Sequence, residues 1–116
     1  MRGIEYVSSS SSFFGGYMKE NEYQRYLVKR IKETFPDVFV LKNDANWLQG
    51  FPDLTVLHRY SGKYGILEVK RDSTSPSQPN QEYYIYDAFG ENVFTSYIFP
   101  ENEEEVLYGL QQALEA

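Results

Sequence analysis

Three side chains near the middle of the chain have the types and spacing for hydrolytic chemistry. Asp53 closes the run Gly50-Phe-Pro-Asp53, and Glu68 and Lys70 lie in Ile66-Leu-Glu-Val-Lys70. Side chains alternate along a strand, so Glu68 and Lys70 share one face while Val69 turns toward the core. Residues 54–58 and 65–69 read as strands joined across 59–63 by a turn carrying Ser61-Gly62. If they pair as a hairpin, Asp53 meets the end of the second strand, and two carboxylates converge with one ammonium. The carboxylates are hard oxygen ligands suited to Mg²⁺, with Mn²⁺ as a substitute, and the Val69 carbonyl can add another. Such a cation lowers the pKa of a bound water and neutralises charge on a phosphodiester. Lys70 would orient the attacking water or stabilise the charge that develops on phosphorus oxygens. Each piece has a plain structural alternative. Glu-x-Lys on a strand is commonly two solvated charges, and Pro-Asp is commonly a turn signal. Their order, with both at strand ends joined by a short hairpin, gives the combination its weight.

Other elements must hold this hairpin. Tyr23, Leu27, Val28 and Ile31 fall at helical spacing and predict a helix over 19–34 that Pro36 ends. Residues 38–41 read as an apolar strand, and 43–50 as a polar connection carrying the only Trp, Trp47. A Ser- and Pro-rich loop at 72–79 precedes a helical stretch at 81–89 and a β-rich stretch at 92–99. Asn102 with Glu105 makes a capping-box pattern ahead of Val106, Leu107, Leu110 and Leu114, which predicts a final amphipathic helix. The order is α-β-β-β-α-β-α, an α/β fold with a central mixed sheet flanked by helices. Residues 1–17, with the run Ser8–Ser12 followed by Phe13, Phe14 and two Gly, read as a flexible extension. Residues 18–116 read as a single domain with an acidic C-terminal helix, since 116 residues leave no room for a second core.

Composition narrows the chemistry further. With no Cys and only one His, the chain lacks thiolate and multi-histidine sites, so any metal rests on oxygen ligands. The absence of Cys, of a signal-peptide pattern and of any long apolar run suggests a cytoplasmic setting (host cytoplasm if the gene is viral) without membrane association. A formal charge of −6 argues against a nucleic-acid partner at first sight. However, residues 101–116 hold five Glu and no basic residue, which leaves 11 basic against 12 acidic groups in residues 1–100. Residues 19–42 carry six basic and four acidic side chains.

The run Lys19-Glu-Asn-Glu-Tyr-Gln-Arg-Tyr-Leu-Val-Lys-Arg-Ile-Lys32, then Lys42, Trp47-Leu-Gln-Gly-Phe-Pro-Asp53, Leu67-Glu-Val-Lys70 and Gln78-Pro-Asn-Gln81 together resemble a virus-type replication–repair nuclease (VRR-NUC) domain. That family belongs to the PD-(D/E)xK superfamily, as do the archaeal Holliday junction resolvases, and the resemblance spans roughly residues 19–100. It implies a restriction-endonuclease-like core and a Mg²⁺-dependent endonuclease acting on DNA, on branched or junction DNA in particular. It also implies Asp53 and Glu68 as metal ligands, Lys70 as catalytic base or electrostatic partner, and Gln81 as the Gln of the following helix. Where the family usually has Ser or Arg three positions before that Gln, this chain has Gln78. The family's first-helix carboxylate maps to Glu20 in preference to Glu22, because Glu20 lies three and seven residues before Tyr23 and Leu27. A Glu in a first helical turn is also favoured by the helix dipole alone.

Lys42 is a candidate phosphate contact or a solvated strand cation, and Trp47 a base-stacking platform or a packing residue. His58 reads as structural. The aromatic extension and the apolar face of the last helix suggest a homodimer, in which paired sites would cut symmetric strands. Two rivals come from other classes: a catalytically silent nucleic-acid-binding or assembly subunit with the same fold, and an acidic phage protein that binds a host enzyme. Retention of Asp, Glu and Lys together weighs against the first, and clustering of the acidic excess at one end against the second.

Overall fold

The computed structural model describes residues 18–44 and 46–115. The expected flexible extension over 1–17 lies outside the described residues. Helix α1 (Glu20–Thr34) leads into strands β1 (Val38–Lys42), β2 (Leu54–His58) and β3 (Tyr64–Val69). Helix α2 (Pro79–Tyr86), strand β4 (Phe94–Ile98), a 3₁₀ turn (Pro100–Asn102) and helix α3 (Glu103–Glu115) complete the chain. The expected α-β-β-β-α-β-α order is therefore present, as a four-stranded mixed sheet in the order β1-β2-β3-β4. The first two pairings are antiparallel. The third, β3 with β4, is parallel and is reached by the crossover through α2.

Alternation sets the two faces of the sheet. Leu54, Val56, Leu67, Val69 and Ile98 point to one face and are fully buried under α1 and α3. Tyr23, Leu27 and Ile31 of α1, at the spacing of a single apolar stripe, close this core with Val106, Leu107, Leu110 and Leu114 of α3. Ile66, Thr95 and Tyr97 face the other way, where α2 covers β3 and β4 through Ile85. Strand β3 is thus covered on both faces. Strand β1 is an edge, and its outward Phe39 and Leu41 remain about half exposed.

Two expectations change here. The apolar face of the last helix, proposed as a dimer surface, is spent on the core of its own chain: Leu110 and Leu114 are almost wholly buried. Nor do Asn102 and Glu105 form a capping box. Asn102 Oδ1 accepts from Phe99 N at 2.9 Å and its Nδ2 donates to the Tyr97 carbonyl at 3.2 Å, so Asn102 closes the 3₁₀ turn while Glu105 stays exposed. Among the described residues no helix is long and apolar enough to cross a membrane.

Candidate active site

The β2–β3 hairpin pairs Leu54 with Leu67, which returns the end of β3 to Asp53. Asp53 Oδ2 accepts a hydrogen bond from Val69 N at 2.9 Å, so the backbone of one strand fixes the carboxylate at the head of the other. On the opposite face from Val69, Glu68 and Lys70 project side by side, with Lys70 Nζ 3.7 Å from Glu68 Oε2. Neither is a solvated surface charge, since Glu68 is only 3% exposed and Lys70 7%. The plain alternative for Glu-x-Lys fails on that observation.

Burial follows from what lies above the strand. Pro79 opens α2 at a position where its missing N–H costs nothing. Gln81, in the first turn, reaches back so that its Oε1 accepts from Gln78 N at 2.9 Å. The same Oε1 accepts from Lys70 Nζ at 2.8 Å, while Gln81 Nε2 donates to Glu68 Oε2 at 2.7 Å. Only this amide orientation serves all three partners. Lys70 Nζ also donates to the Pro76 carbonyl at 3.0 Å, and the Tyr97 ring lies beneath it at 5.8 Å. The loop ahead of α2 and the parallel strand β4 therefore enclose the ammonium.

Glu68 Oε2 is satisfied, but Glu68 Oε1 is buried with no hydrogen-bond partner among the described residues. A carboxylate held this way resists ionisation. Burial first, and then the nearby Asp53 charge, push the Glu68 carboxyl up to about 8, with Lys70 acting against them. Asp53 is also raised, chiefly by burial, although the Val69 N–H and the Lys70 charge favour its ionised form. Glu20 lines an open cleft of ≈ 400 Å³ together with Lys19, Lys70, Arg71, Gln78 and Gln81. Partial withdrawal from water, and secondarily Asp53, raise its carboxyl, against Lys70 and Arg71. Glu22 is engaged differently: its Oε1 accepts from Lys19 N at 3.0 Å, a helix-capping contact.

Asp53, Glu68, Lys70 and Gln81 are therefore brought together, Glu20 stands at the rim, and Val69 contributes its N–H to Asp53. An orphaned carboxylate oxygen beside a second carboxylate is what a hard cation fits. Yet among the described residues no three His, Cys, Asp or Glu side chains are grouped closely enough to enclose a cation by themselves. Tyr97 and Pro76 were not singled out from the sequence. Tyr97 is placed by the parallel pairing Glu68↔Tyr97, which local pattern does not reveal.

The connection before Asp53 is held close by Gly50. Its φ is +80°, and a Cβ there would meet Asn80 Cβ at 2.5 Å, so only Gly lets this loop touch the start of α2. Trp47, on the same connection, is 88% exposed and so does not serve packing. Lys42 is exposed at the site end of β1. His58 lies at the opposite end of β2, where its Nδ1 lies 2.9 Å from Ser61 Oγ within the hairpin turn.

Comparison of the chain with family models, with curated proteins and with solved structures returns no match.

Proposed function

We propose that this chain is a metal-dependent DNA endonuclease with a PD-(D/E)xK site, acting on branched or otherwise structured DNA. One observation carries the reading: Glu68, a buried carboxylate with one oxygen unpartnered among the described residues, sits beside Asp53 and Lys70, and Lys70 lines the open cleft. Burying such a group with no use for it is costly. Asp53 and Glu68 would hold Mg²⁺ or Mn²⁺, with Glu20 and the Val69 carbonyl as the further donors. When bound, the cation supplies Lewis acidity toward water and phosphate oxygens.

The chain's own residues supply the remainder. Gln81 fixes the Glu68 carboxylate by one oxygen and leaves the other free. Lys70, held by Gln81 and Pro76, presents a preorganised positive charge to the oxygens of the scissile phosphate.

A cleavage panel of branched, flapped, nicked and linear DNAs with Mg²⁺, Mn²⁺ and EDTA tests the activity. For the metal, Asp53→Ala is expected to abolish Mn²⁺ binding in calorimetry while the far-UV spectrum is unchanged. Because the Glu68 carboxyl is pushed up to about 8, its proton competes with the cation below that pH. Wild-type affinity should therefore increase as pH rises toward 8, with proton release on binding. Unchanged Mn²⁺ binding by Asp53→Ala would place the cation elsewhere.

The first helix offers a second test. Glu20→Gln should reduce the cleavage rate far more than Glu22→Gln, because Glu20 lines the cleft and Glu22 caps the helix. Equal, small effects would confine both carboxylates to helix stability.

The silent-subunit alternative draws on the lack of a closed three-ligand group, and a panel without any cleavage would favour it. The acidic-mimic alternative is weakened by the last helix itself, where Glu103 and Glu104 are both paired with Arg30. Symmetric pairing of two copies stays within the proposal, and it would need a surface other than the apolar face of α3.

A further inference from the structure

A second concave surface lies between α1 and the edge strand β1. Arg25, Lys29 and Lys32 follow one another at helical spacings of four and three residues, and Lys42 joins them from the end of β1. Together with Val28 they line a groove of ≈ 310 Å³ that has no acidic side chain in its lining. None of the four cations makes an ion pair among the described residues, whose ion pairs belong to Arg30, Lys70 and Arg71. Like charges four apart on a helix repel. In a chain with formal charge −6, partners were available, yet these cations gather around one hollow, lined mainly by their own aliphatic stems and Val28, without an ion pair among the described residues.

Position relates the groove to the site. Helix α1 starts with Glu20 at the rim of the cleft, and Lys42 pairs with Leu54 in the sheet, next to Asp53, whose carbonyl accepts from Asn43 N at 2.8 Å. A polyanion lying in the groove therefore leads toward Asp53 and Glu68. Seven residues of helix advance about 10 Å, a length matched by about three nucleotides of one DNA strand at 3.4 Å each.

The geometry points to this groove as the track for the phosphate backbone of one DNA strand flanking the cleavage site, held by Arg25, Lys29, Lys32 and Lys42. This inference rests on the nuclease reading for its choice of partner. It adds the surface that would fix the substrate, and it offers an acidic chain a place to hold DNA. Contacts of this kind position the strand and carry no base information, so the groove serves branched and linear DNA alike.

The test is fluorescence anisotropy of labelled linear and branched DNA with the full chain in EDTA, so that binding is read without cleavage, over a series of salt concentrations. Each lost phosphate contact flattens the plot of log affinity against log salt by about 0.9. Lys29→Ala with Lys32→Ala should thus lower the slope by about 1.8 and weaken both DNAs equally. Lys29→Arg with Lys32→Arg should keep the slope, and Lys63→Ala, in the hairpin turn at the far end, should not alter it. An unchanged slope in the double Ala variant, or no DNA binding by the wild type at low salt, overturns the groove. Binding that depends on the groove without cleavage in the Mn²⁺ panel would retain it and remove the nuclease reading. Cleavage with an unaltered slope would do the reverse.

Discussion

Lys70→Ala is expected to fold, to bind a divalent cation, and to cleave DNA about 10²–10³ times more slowly than the wild type. The fold is expected to survive the loss of this ammonium. Its partners are the Pro76 carbonyl, in a loop that water can reach, and Gln81 Oε1, which keeps its bond from Gln78 N. Gln81 Nε2 still holds Glu68. What is lost is a fixed positive charge, which on the proposed nuclease reading acts when negative charge grows on the phosphate oxygens. Lys70 has a second effect that the experiment must separate. It is one of the influences that favour ionised Glu68, so its removal pushes that carboxyl further up and weakens metal binding near neutrality. Raising the pH restores ionised Glu68 and metal affinity together. If Lys70 acts only through Glu68, cleavage recovers with them, and if it acts on the phosphate, cleavage stays low. Single-turnover rates and Mn²⁺ calorimetry across the same pH series decide the matter. Lys70→Arg should fail as well, because a planar fork does not reproduce the contacts of a compact ammonium with the Pro76 carbonyl, Gln81 Oε1 and the Tyr97 ring. A near wild-type rate for Lys70→Ala would remove the nuclease reading.

Much of this arrangement was legible from local pattern. The apolar stripe of α1 and the alternation in β2 and β3 gave their elements to within a residue or so. The hairpin predicted that Asp53 would reach the end of β3, where it accepts from Val69 N. That Glu68 and Lys70 share a face also followed from alternation, but their burial did not. Burial depends on α2, on the loop at Pro76 and on Tyr97, which converge through a parallel crossover that leaves no periodic trace. The last helix shows the same limit. Its apolar stripe was readable, but a stripe does not say whether it packs on its own sheet or on a second copy. Trp47 lay beyond reach too, since an exposed and a packed Trp look alike in a polar connection. Polar burial is a property of the assembled layers, and nowhere was it harder to foresee than at Glu103, which sits in a run of glutamates that reads as solvated.

Glu103→Ala is expected to be among the most destabilising single changes in the chain, at about 3–5 kcal/mol. The Glu103 side chain is 1% exposed and joins the start of α3 to α1. Tyr23 Oη donates to its Oε1 at 2.8 Å and Tyr26 Oη to its Oε2 at 2.7 Å, while Arg30 pairs with the same Oε2. Burial and the neighbouring carboxylate hold both tyrosine hydroxyls protonated well above their ordinary range. Truncation to Ala removes the one acceptor that all three donors share. Arg30 keeps Glu104 at 3.1 Å, but the Tyr23 hydroxyl loses the only partner it has among the described residues. The cost is therefore mostly that of stranded donors, and this makes it separable. Glu103→Gln, which still accepts hydrogen bonds but carries no charge, should fall between wild type and Ala. Glu103→Leu combined with Tyr23→Phe and Arg30→Met leaves only Tyr26 and Glu104 to rehydrate at the margin, and should recover much of the loss. Urea unfolding gives the order, with a constant slope showing that the same surface is exposed in each variant. The proposed Mn²⁺ binding at Asp53 and Glu68 should be the same in every variant that stays folded as in the wild type, because the Glu103 cluster lies under α1 on the opposite face of the sheet from Glu68. A Glu103→Ala variant as stable as the wild type would mean that water reaches this junction, and that the three donors were never committed to the carboxylate.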